Sequence, residues 1–486
     1  MLMISFTIGL SGCQSATPIS SSPNTDTTGV TANTQASLDG FSSKDLIYFV
    51  MTDRFKDGNL ENNQFPDVNK KDPKSYHGGD FVGITESLDY IQSLGATAIW
   101  ITPVLKNETK GYHGYWAVDF EAIDPHLGTE AELKALVDEA HKHGIKIVLD
   151  YVVNHTGYQS PWLTDKSKAG WFHPKKDISN WSDLKEVENN WLFGLPDLNT
   201  ENPEVAQYLT ENAKSWIRKT GIDGMRLDTV RHVPRPFWAD FTKSVKAEFP
   251  DFYFLGEVWN DSTRYIQLYN DEGIDGMTNY SLYKGITGTF TRTGSSSAMA
   301  NALAKEKFFK EPGLNGIFID NHDNPRFVTV NGKASTKQAL SFIMTYPSIP
   351  LIYYGTEIGM EGKGDPDNRR DMAWDQTSNN PMLTYYKKLA ALRKEIPAIT
   401  EGVVTIVPSS KDALIYEVTK DNQGILVVMN LRNKPLEEAV TLAAEVSIKG
   451  KPSLLISEGD GSLDISSKAL KLKLSANQIV VYKIVN

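Results

Sequence analysis

From Lys44 onward, short β-branched and aromatic runs alternate with amphipathic stretches of helical period, the βαβα rhythm of a parallel sheet. Strands are predicted at Leu46–Phe55, Thr97–Val104, Ile145–Asn154, Gly224–Thr229, Phe252–Val258, Gly276–Tyr280, Asn315–Asp320 and Ile349–Tyr354, the sixth being the weakest pattern. Between them lie helical patterns. Glu130–His143 has acids early and Lys/His late, and Pro203–Lys219 opens on proline. Eight strands, each followed by a helix, predict a (β/α)8 barrel. One connection is much longer than the rest, from His155 to Pro203, and is rich in Trp, Asn and Asp. At a barrel's C-terminal rim such an insertion predicts a small subdomain walling the site. After Thr400 the pattern changes to alternating strands such as Ala413–Val418, Ile425–Asn430 and Gln478–Ile484, which predict an antiparallel β-sandwich. The expected organisation is a barrel over 43–154 and 204–400, an insertion over 155–203, and a C-terminal domain over 401–486.

Composition changes this picture little. The chain has 486 residues, with 40% hydrophobic and 23% charged, ordinary for a globular protein of more than one domain. Its formal charge of -10 comes without a Lys/Arg stripe, so nucleic acid is not expected as a partner, whereas a neutral polymer meets no electrostatic opposition. Ten Trp and twenty Tyr suit sugar stacking, but most aromatics are core residues.

The only cysteine is Cys13, which excludes an intramolecular disulfide. It follows an apolar run too short to span a bilayer, ending Leu10-Ser11-Gly12-Cys13. This resembles a bacterial lipoprotein signal, in which cleavage precedes a lipid-accepting Cys, although no Lys or Arg precedes Lys44. Residues 1–13 are therefore expected to be a leader and 14–42, rich in Ser, Thr, Asn and Pro, a flexible tether. The mature protein is expected outside the cell, touching the membrane only through lipid or secreted freely, and monomeric.

The candidate chemistry lies where the apolar runs stop. Four segments carry it: Asp150-Tyr-Val-Val-Asn154-His155, Arg226-Leu-Asp228-Thr-Val-Arg231-His232, Glu257-Val-Trp259 and Asn321-His322-Asp323. One acid at a strand end more often caps a helix or pairs with an Arg. Four on separate strands of one rim is the arrangement of a barrel active site.

In this order the four segments resemble the signature regions of the α-amylase superfamily of glycoside hydrolases. The likeness includes Gly95-Ala-Thr-Ala-Ile-Trp-Ile-Thr-Pro103, Gly111-Tyr-His-Gly-Tyr-Trp116, Leu195-Pro-Asp-Leu-Asn199 and Tyr354-Gly-Thr-Glu-Ile-Gly359, and covers roughly 45 to 375. The resemblance implies Asp228 as nucleophile, Glu257 as general acid/base and Asp323 as third carboxylate, gripping sugar hydroxyls. It implies Arg226 as the partner that keeps Asp228 ionised, and Tyr115, His155 and His322 around the distorted glucose. Asp150 serves the rim through Arg226 on this reading. Asp365 and Arg369 resemble outer glucose-binding residues. Arg231 and His232 stand where the family commonly has Lys-His on the leaving-group side, and Arg keeps the charge but not the geometry.

Two calcium sites are implied as well. One uses Asn154, Asp197 and the carbonyl of His232; the other uses Asp57, Asn59, Asn62, Asn63, Gly78 and Asp80. Hard oxygen donors suit Ca²⁺, though Asn/Asp/Gly clusters also form metal-free turns.

The activity expected first is endo-hydrolysis of α-1,4 bonds in starch and maltooligosaccharides, that of an α-amylase. The alternatives are neopullulanase or cyclomaltodextrinase, oligo-1,6-glucosidase and glucanotransferase activity. Neopullulanase-type enzymes usually carry an N-terminal β-domain, and only a tether precedes the barrel here. Family 1,6-glucosidases usually have Gln where Leu195 stands. A non-catalytic sugar-binding barrel would be expected to lack one of the three carboxylates, and all three are present.

Overall fold

The computed structural model describes residues 38–442, 451–466 and 468–485. Cys13, the leader and most of the expected tether lie outside them.

The eight predicted strands all form, and in one sheet. They are β1 (Ile47–Val50), β2 (Ala98–Ile101), β3 (Lys146–Tyr151), β4 (Gly224–Leu227), β5 (Tyr253–Gly256), β6 (Gly276–Met277), β7 (Gly316–Ile317) and β8 (Ile349–Tyr353). Neighbours are parallel throughout, β1 pairing with both β2 and β8. The ring closes between β6 and β7 through the bridge Thr278–Gly316 and the Asn279 N–H donating to the Gly316 carbonyl at 2.8 Å. This closure is tight: a Cβ on Gly276 would lie 2.0 Å from the Leu314 carbonyl oxygen, so only glycine fits there. The chain is thus a (β/α)8 barrel carrying C-terminal antiparallel sheets.

Helices cover the outside because their apolar positions recur at helical spacing. In Glu130–Lys142 the buried residues are Leu133, Leu136, Val137 and Ala140, and Thr129 and Glu132 form a reciprocal capping box. Truncating fully buried Leu136 to Ala belongs to the class of core deletions that cost ~2–5 kcal/mol. Pro203–Thr220 starts on proline and ends at Gly221 in the left-handed conformation, where glycine carries no penalty.

The strands are shorter than predicted, for identifiable reasons. The first run was expected to reach Phe55, but Thr52–Phe55 turns into a helical turn. Buried Asp53 there accepts the N–H groups of His77 and Gly78, so its side chain serves a distant loop. The seventh stops at Ile317, and Asp320 instead accepts from the Phe327 N–H at 2.8 Å and the Thr356 hydroxyl at 2.7 Å.

The stretch after β3 holds one short α-helix, Leu184–Asn189, three single 3-10 turns, and isolated bridges at His155–Asp197, Phe172–Leu198 and Asp177–Trp191. At the other end, Phe41 stacks on Tyr253 at 4.3 Å, so barrel packing reaches back to that residue.

Beyond Thr400, a five-stranded sheet faces a three-stranded one. The strand Ala413–Lys420 lies between two cores. Ala413 and Ile415 pack with Leu426 of the adjacent strand and with Leu470 and Leu472 of the second sheet. Leu414, Tyr416 and Val418 join the core of the barrel. Alternation therefore sends both of its faces inward, and both are apolar. Among the described residues no helix is long and apolar enough to cross a membrane.

Candidate active site

The polar centre is built on Arg226, whose side chain is 1% exposed. Arg226 and Asp228 are two residues apart along an extended strand end, so both point into the barrel mouth. The backbone ladder continues one residue past each strand, with the Asp228 N–H on the Tyr151 carbonyl at 3.1 Å and the Glu257 N–H on the Leu227 carbonyl at 2.9 Å. Both carboxylates are thereby fixed at the rim.

One Arg226 nitrogen, Nη1, donates to Asp228 Oδ1 at 2.6 Å and to both oxygens of Asp150 at 2.9 and 3.0 Å. The other, Nη2, lies 2.5 Å from Glu257 Oε1. Adjacent nitrogens of one guanidinium thus grip Asp228 and Glu257. One cation cannot balance three buried acids, so protons must stay in the cluster. Burial pushes Glu257 up to about 8, with Arg226 pulling against it and Asp228 and Asp323 pushing further. Burial raises Asp150 as well. Asp150, however, also accepts from the Tyr115 hydroxyl at 2.7 Å and the Trp100 indole at 3.2 Å, and these donors favour its charged form. Burial thus moves Glu257 toward the protonated form that a general acid needs.

Asp323 bridges to the next group. It takes Arg369 Nη2 at 3.1 Å, while Arg369 Nη1 reaches Asp365 at 3.3 Å and its Nε donates to the His322 carbonyl at 2.8 Å. The Tyr115 and His322 rings stack, with centroids 5.3 Å apart and planes 10° from parallel. Burial lowers the pKa of His155, and that of His322 far more, so both rings are neutral donors and acceptors. Buried His322 Nδ1 has no partner among the described residues and can bond a ligand.

A cleft of about 560 Å³ opens over this cluster. Tyr115, His155, Asp228, Arg231, His232, Glu257, His322, Asp323, Asp365 and Arg369, all singled out in the sequence, line it, and Arg226 lies buried beneath. Leu195, read from the sequence only as a marker of specificity, also lines it, and the rest was not foreseen: Trp181, Leu192 and Phe193 from the insertion, Thr229, and Trp259. Phe193 is 75% exposed and holds a left-handed φ of 53°, an unusual conformation for a bulky residue. The available signal was weak, no more than tryptophans in a loop without periodicity and one Trp two residues after Glu257.

A family profile described as "Alpha amylase, catalytic domain" matches residues 49–381, most of the barrel. The chain belongs to the alpha-amylase family. Among its structural relatives in that family is an Anoxybacillus α-amylase, 41% identical, with a TM-score of 0.84 over 91% of this chain and 98% of that one. A cyclomaltodextrinase from Geobacillus thermopakistaniensis is 33% identical over 84% of this chain and 72% of its own length. Neopullulanase 2 from Thermoactinomyces vulgaris is 34% identical over 88% and 75%. The chain spans only 39% of the length of the Paenibacillus polymyxa beta/alpha-amylase, to which it is 33% identical.

Two oxygen-rich clusters in this alpha-amylase-family chain contain the residues implied for calcium. At the junction of barrel and insertion, the Asn154 side-chain oxygen faces the His232 carbonyl at 2.7 Å and Asp197 Oδ1 at 3.2 Å. With the amide turned over, its NH₂ donates to both; in the other orientation three oxygens converge, as a hard cation would require. Asp197 Oδ2 lies 2.6 Å from His173 Nδ1. Burial alone would lower His173, but Asp197 and Glu201 raise it to about 9, so it is charged and partly balances Asp197. In the second cluster Asn63 donates to Asp57 at 3.0 Å, and Asn62 and the Asn59 N–H donate to Asp80 at 3.2 and 2.7 Å. The Asn62 and Asn63 side-chain oxygens are buried without partners. Gly78 has φ +89°, and a Cβ there would lie 2.2 Å from Asn63 Oδ1. Both donor sets fit a hard cation.

Proposed function

We propose that this chain is a retaining α-glucan hydrolase that cuts α-1,4 bonds in short and cyclic maltodextrins as well as starch. The observation that carries the reading is the grip of adjacent Arg226 nitrogens on Asp228 and Glu257. Retention needs two carboxyls only ~5–5.5 Å apart, whereas an inverting pair is spread to ~6.5–9.5 Å around a water. Asp228 attacks C1 as Glu257 gives its proton to the leaving oxygen, and a glycosyl ester forms on Asp228. Glu257, now ionised, takes a proton from water, which attacks C1 and frees Asp228. Asp323 and His322 hold hydroxyls of the ring being flattened, and Asp365 and Arg369 bind units beyond it. Remote binding of that kind supplies energy for ring distortion.

Cyclic and short substrates are favoured over plain endo-attack by the lining. Exposed apolar rings of Trp181, Phe193 and Trp259 stand at the mouth beside Glu257, where the curved, apolar inner face of a cyclic dextrin can cover them. The test compares products from a cyclomaltodextrin, an end-blocked linear maltooligosaccharide and pullulan. Expected are cleavage of the ring at a rate comparable with starch and release of panose from pullulan. Rapid cutting of the blocked chain with the ring left intact would return the chain to plain endo-amylase.

Calcium belongs to the same proposal. Asn154, Asp197 and the His232 carbonyl would hold one ion, and Asp57, Asn59, Asn62, Asn63, Gly78 and Asp80 a second. Their contribution is to tie the insertion and the first long loop to the barrel. A ligand of the folded state alone stabilises by mass action, by ~2.7 kcal/mol at a hundredfold excess over Kd. Chelation is therefore expected to lower Tm, added Ca²⁺ to restore it, and Asp197→Ala to blunt the response. An unchanged melting curve in protein shown to be free of metal would rule both sites out.

A further inference from the structure

One side chain reaches both walls of the aromatic mouth beside Glu257. Arg231 Nη1 donates to the Trp259 carbonyl at 3.1 Å and Nη2 to the Trp181 carbonyl at 3.4 Å. These carbonyls belong to different walls, Trp259 to the loop after β5 and Trp181 to the insertion. Both rings are about half exposed, Trp259 at 49% and Trp181 at 45%.

The base of this arm is rigid. Thr229 holds a left-handed φ of 47°, the Val230 N–H donates to the Glu257 carbonyl at 3.0 Å, and the Trp238 indole donates to the Val230 carbonyl at 2.9 Å. The segment it reaches lies at the surface, where every residue from Ser179 to Lys185 is exposed. On the other wall the restraint reaches the chemistry, because the Trp259 indole donates to Glu257 Oε1 at 3.2 Å.

We propose that Arg231 is a positioning residue that fixes the width of the leaving-group mouth by tying Trp181 to Trp259. It thereby sets the preference for leaving groups of two or more glucose units. Sugar stacking needs two faces at a set separation, and a forked, planar guanidinium keeps two carbonyls in register. A lysine at this position carries one charge on a flexible stem and cannot present two donors in a fixed plane. The inference rests on the reading of the cleft as an α-glucan site.

The test measures kcat and KM for wild type, Arg231→Lys and Arg231→Met on two substrates. One is a linear maltooligosaccharide with at least two leaving glucose units; the other is an aryl α-maltoside, whose small leaving group does not span the mouth. Arg231→Met is expected to lose about tenfold more kcat/KM on the oligosaccharide than on the aryl substrate, the effect of losing one or two net hydrogen bonds, and mainly through KM. Arg231→Lys should fall between. Combining Arg231→Met with Trp259→Ala should add little to Trp259→Ala alone, because without the Trp259 ring the separation that Arg231 sets between the two aromatic faces no longer exists. Equal losses on the two substrates, or full additivity, would overturn the proposal. A wild type inactive on every α-glucan would instead overturn the functional reading beneath it.

Discussion

Asp228→Asn is expected to reduce hydrolysis of α-1,4 bonds by roughly 10⁴-fold or more, ~5.4 kcal/mol of transition-state stabilisation. The amide has the shape of the carboxylate and can still accept from Arg226 Nη1, which donates to Asp228 Oδ1 at 2.6 Å. It lacks the charge and the nucleophilicity that the glycosyl ester requires. Folding should be intact, because Arg226 keeps Asp150 and Glu257 as partners. The loss should be as severe for aryl glycosides as for starch, since bond formation at C1 is needed whatever the leaving group. Steady-state rates with a Tm and a circular dichroism spectrum check both halves, and turnover within tenfold of wild type would remove Asp228 from its role.

Glu257→Gln is expected to differ in a diagnostic way. A general acid contributes ~10²–10⁴-fold, and its loss matters most when the leaving oxygen is a poor leaving group. Starch hydrolysis should therefore fall near the top of that range, while a dinitrophenyl maltoside, which leaves without help, should keep a fast first step. The pH profile carries a second signature. Burial first, then neighbouring acids, raise Glu257 to about 8, so in wild type the protonated, active form persists to neutral pH and activity declines above it. The variant should lose that alkaline limb. Stability should respond too. A carboxyl raised on folding binds a proton that the unfolded chain releases, so it favours the fold below the ordinary carboxylate range and loses that effect as pH climbs toward about 8. The Tm of Glu257→Gln relative to wild type should therefore rise with pH over that interval. An alkaline limb retained by the variant would mean that another group is the acid.

What could be read from the chain differed between scaffold and surface. The eight strands were legible because barrel strands are buried on both sides and appear as apolar runs, and the rim chemistry was legible because each run ends in charge. Boundaries were less so. Nothing local shows that Asp53 will turn away to accept amides from His77 and Gly78, or that Asp320 will leave its strand for Phe327 and Thr356. The role of Asp150 could be guessed from Arg226, but its Tyr115 and Trp100 donors come from another strand and another loop. Trp181 and Phe193 were invisible as site residues because the insertion has no period to read. Arg231 looked like a sugar contact, and only coordinates reveal that its donors are committed to two backbone carbonyls.

The strand Ala413–Lys420 has a consequence for how this architecture can change. Because its two faces belong to different cores, with Tyr416 bonded to Thr345 at 2.6 Å and its ring 5.7 Å from Phe342 of a barrel helix, the C-terminal sheet is part of the barrel's wall. It cannot be exchanged between relatives as an independent module, since a foreign sheet would have to reproduce the same apolar relief. Variation is steered instead to the rim loops, where length can change without disturbing either core. Substrate range is thus free to drift there while the two-sided strand keeps the frame in place.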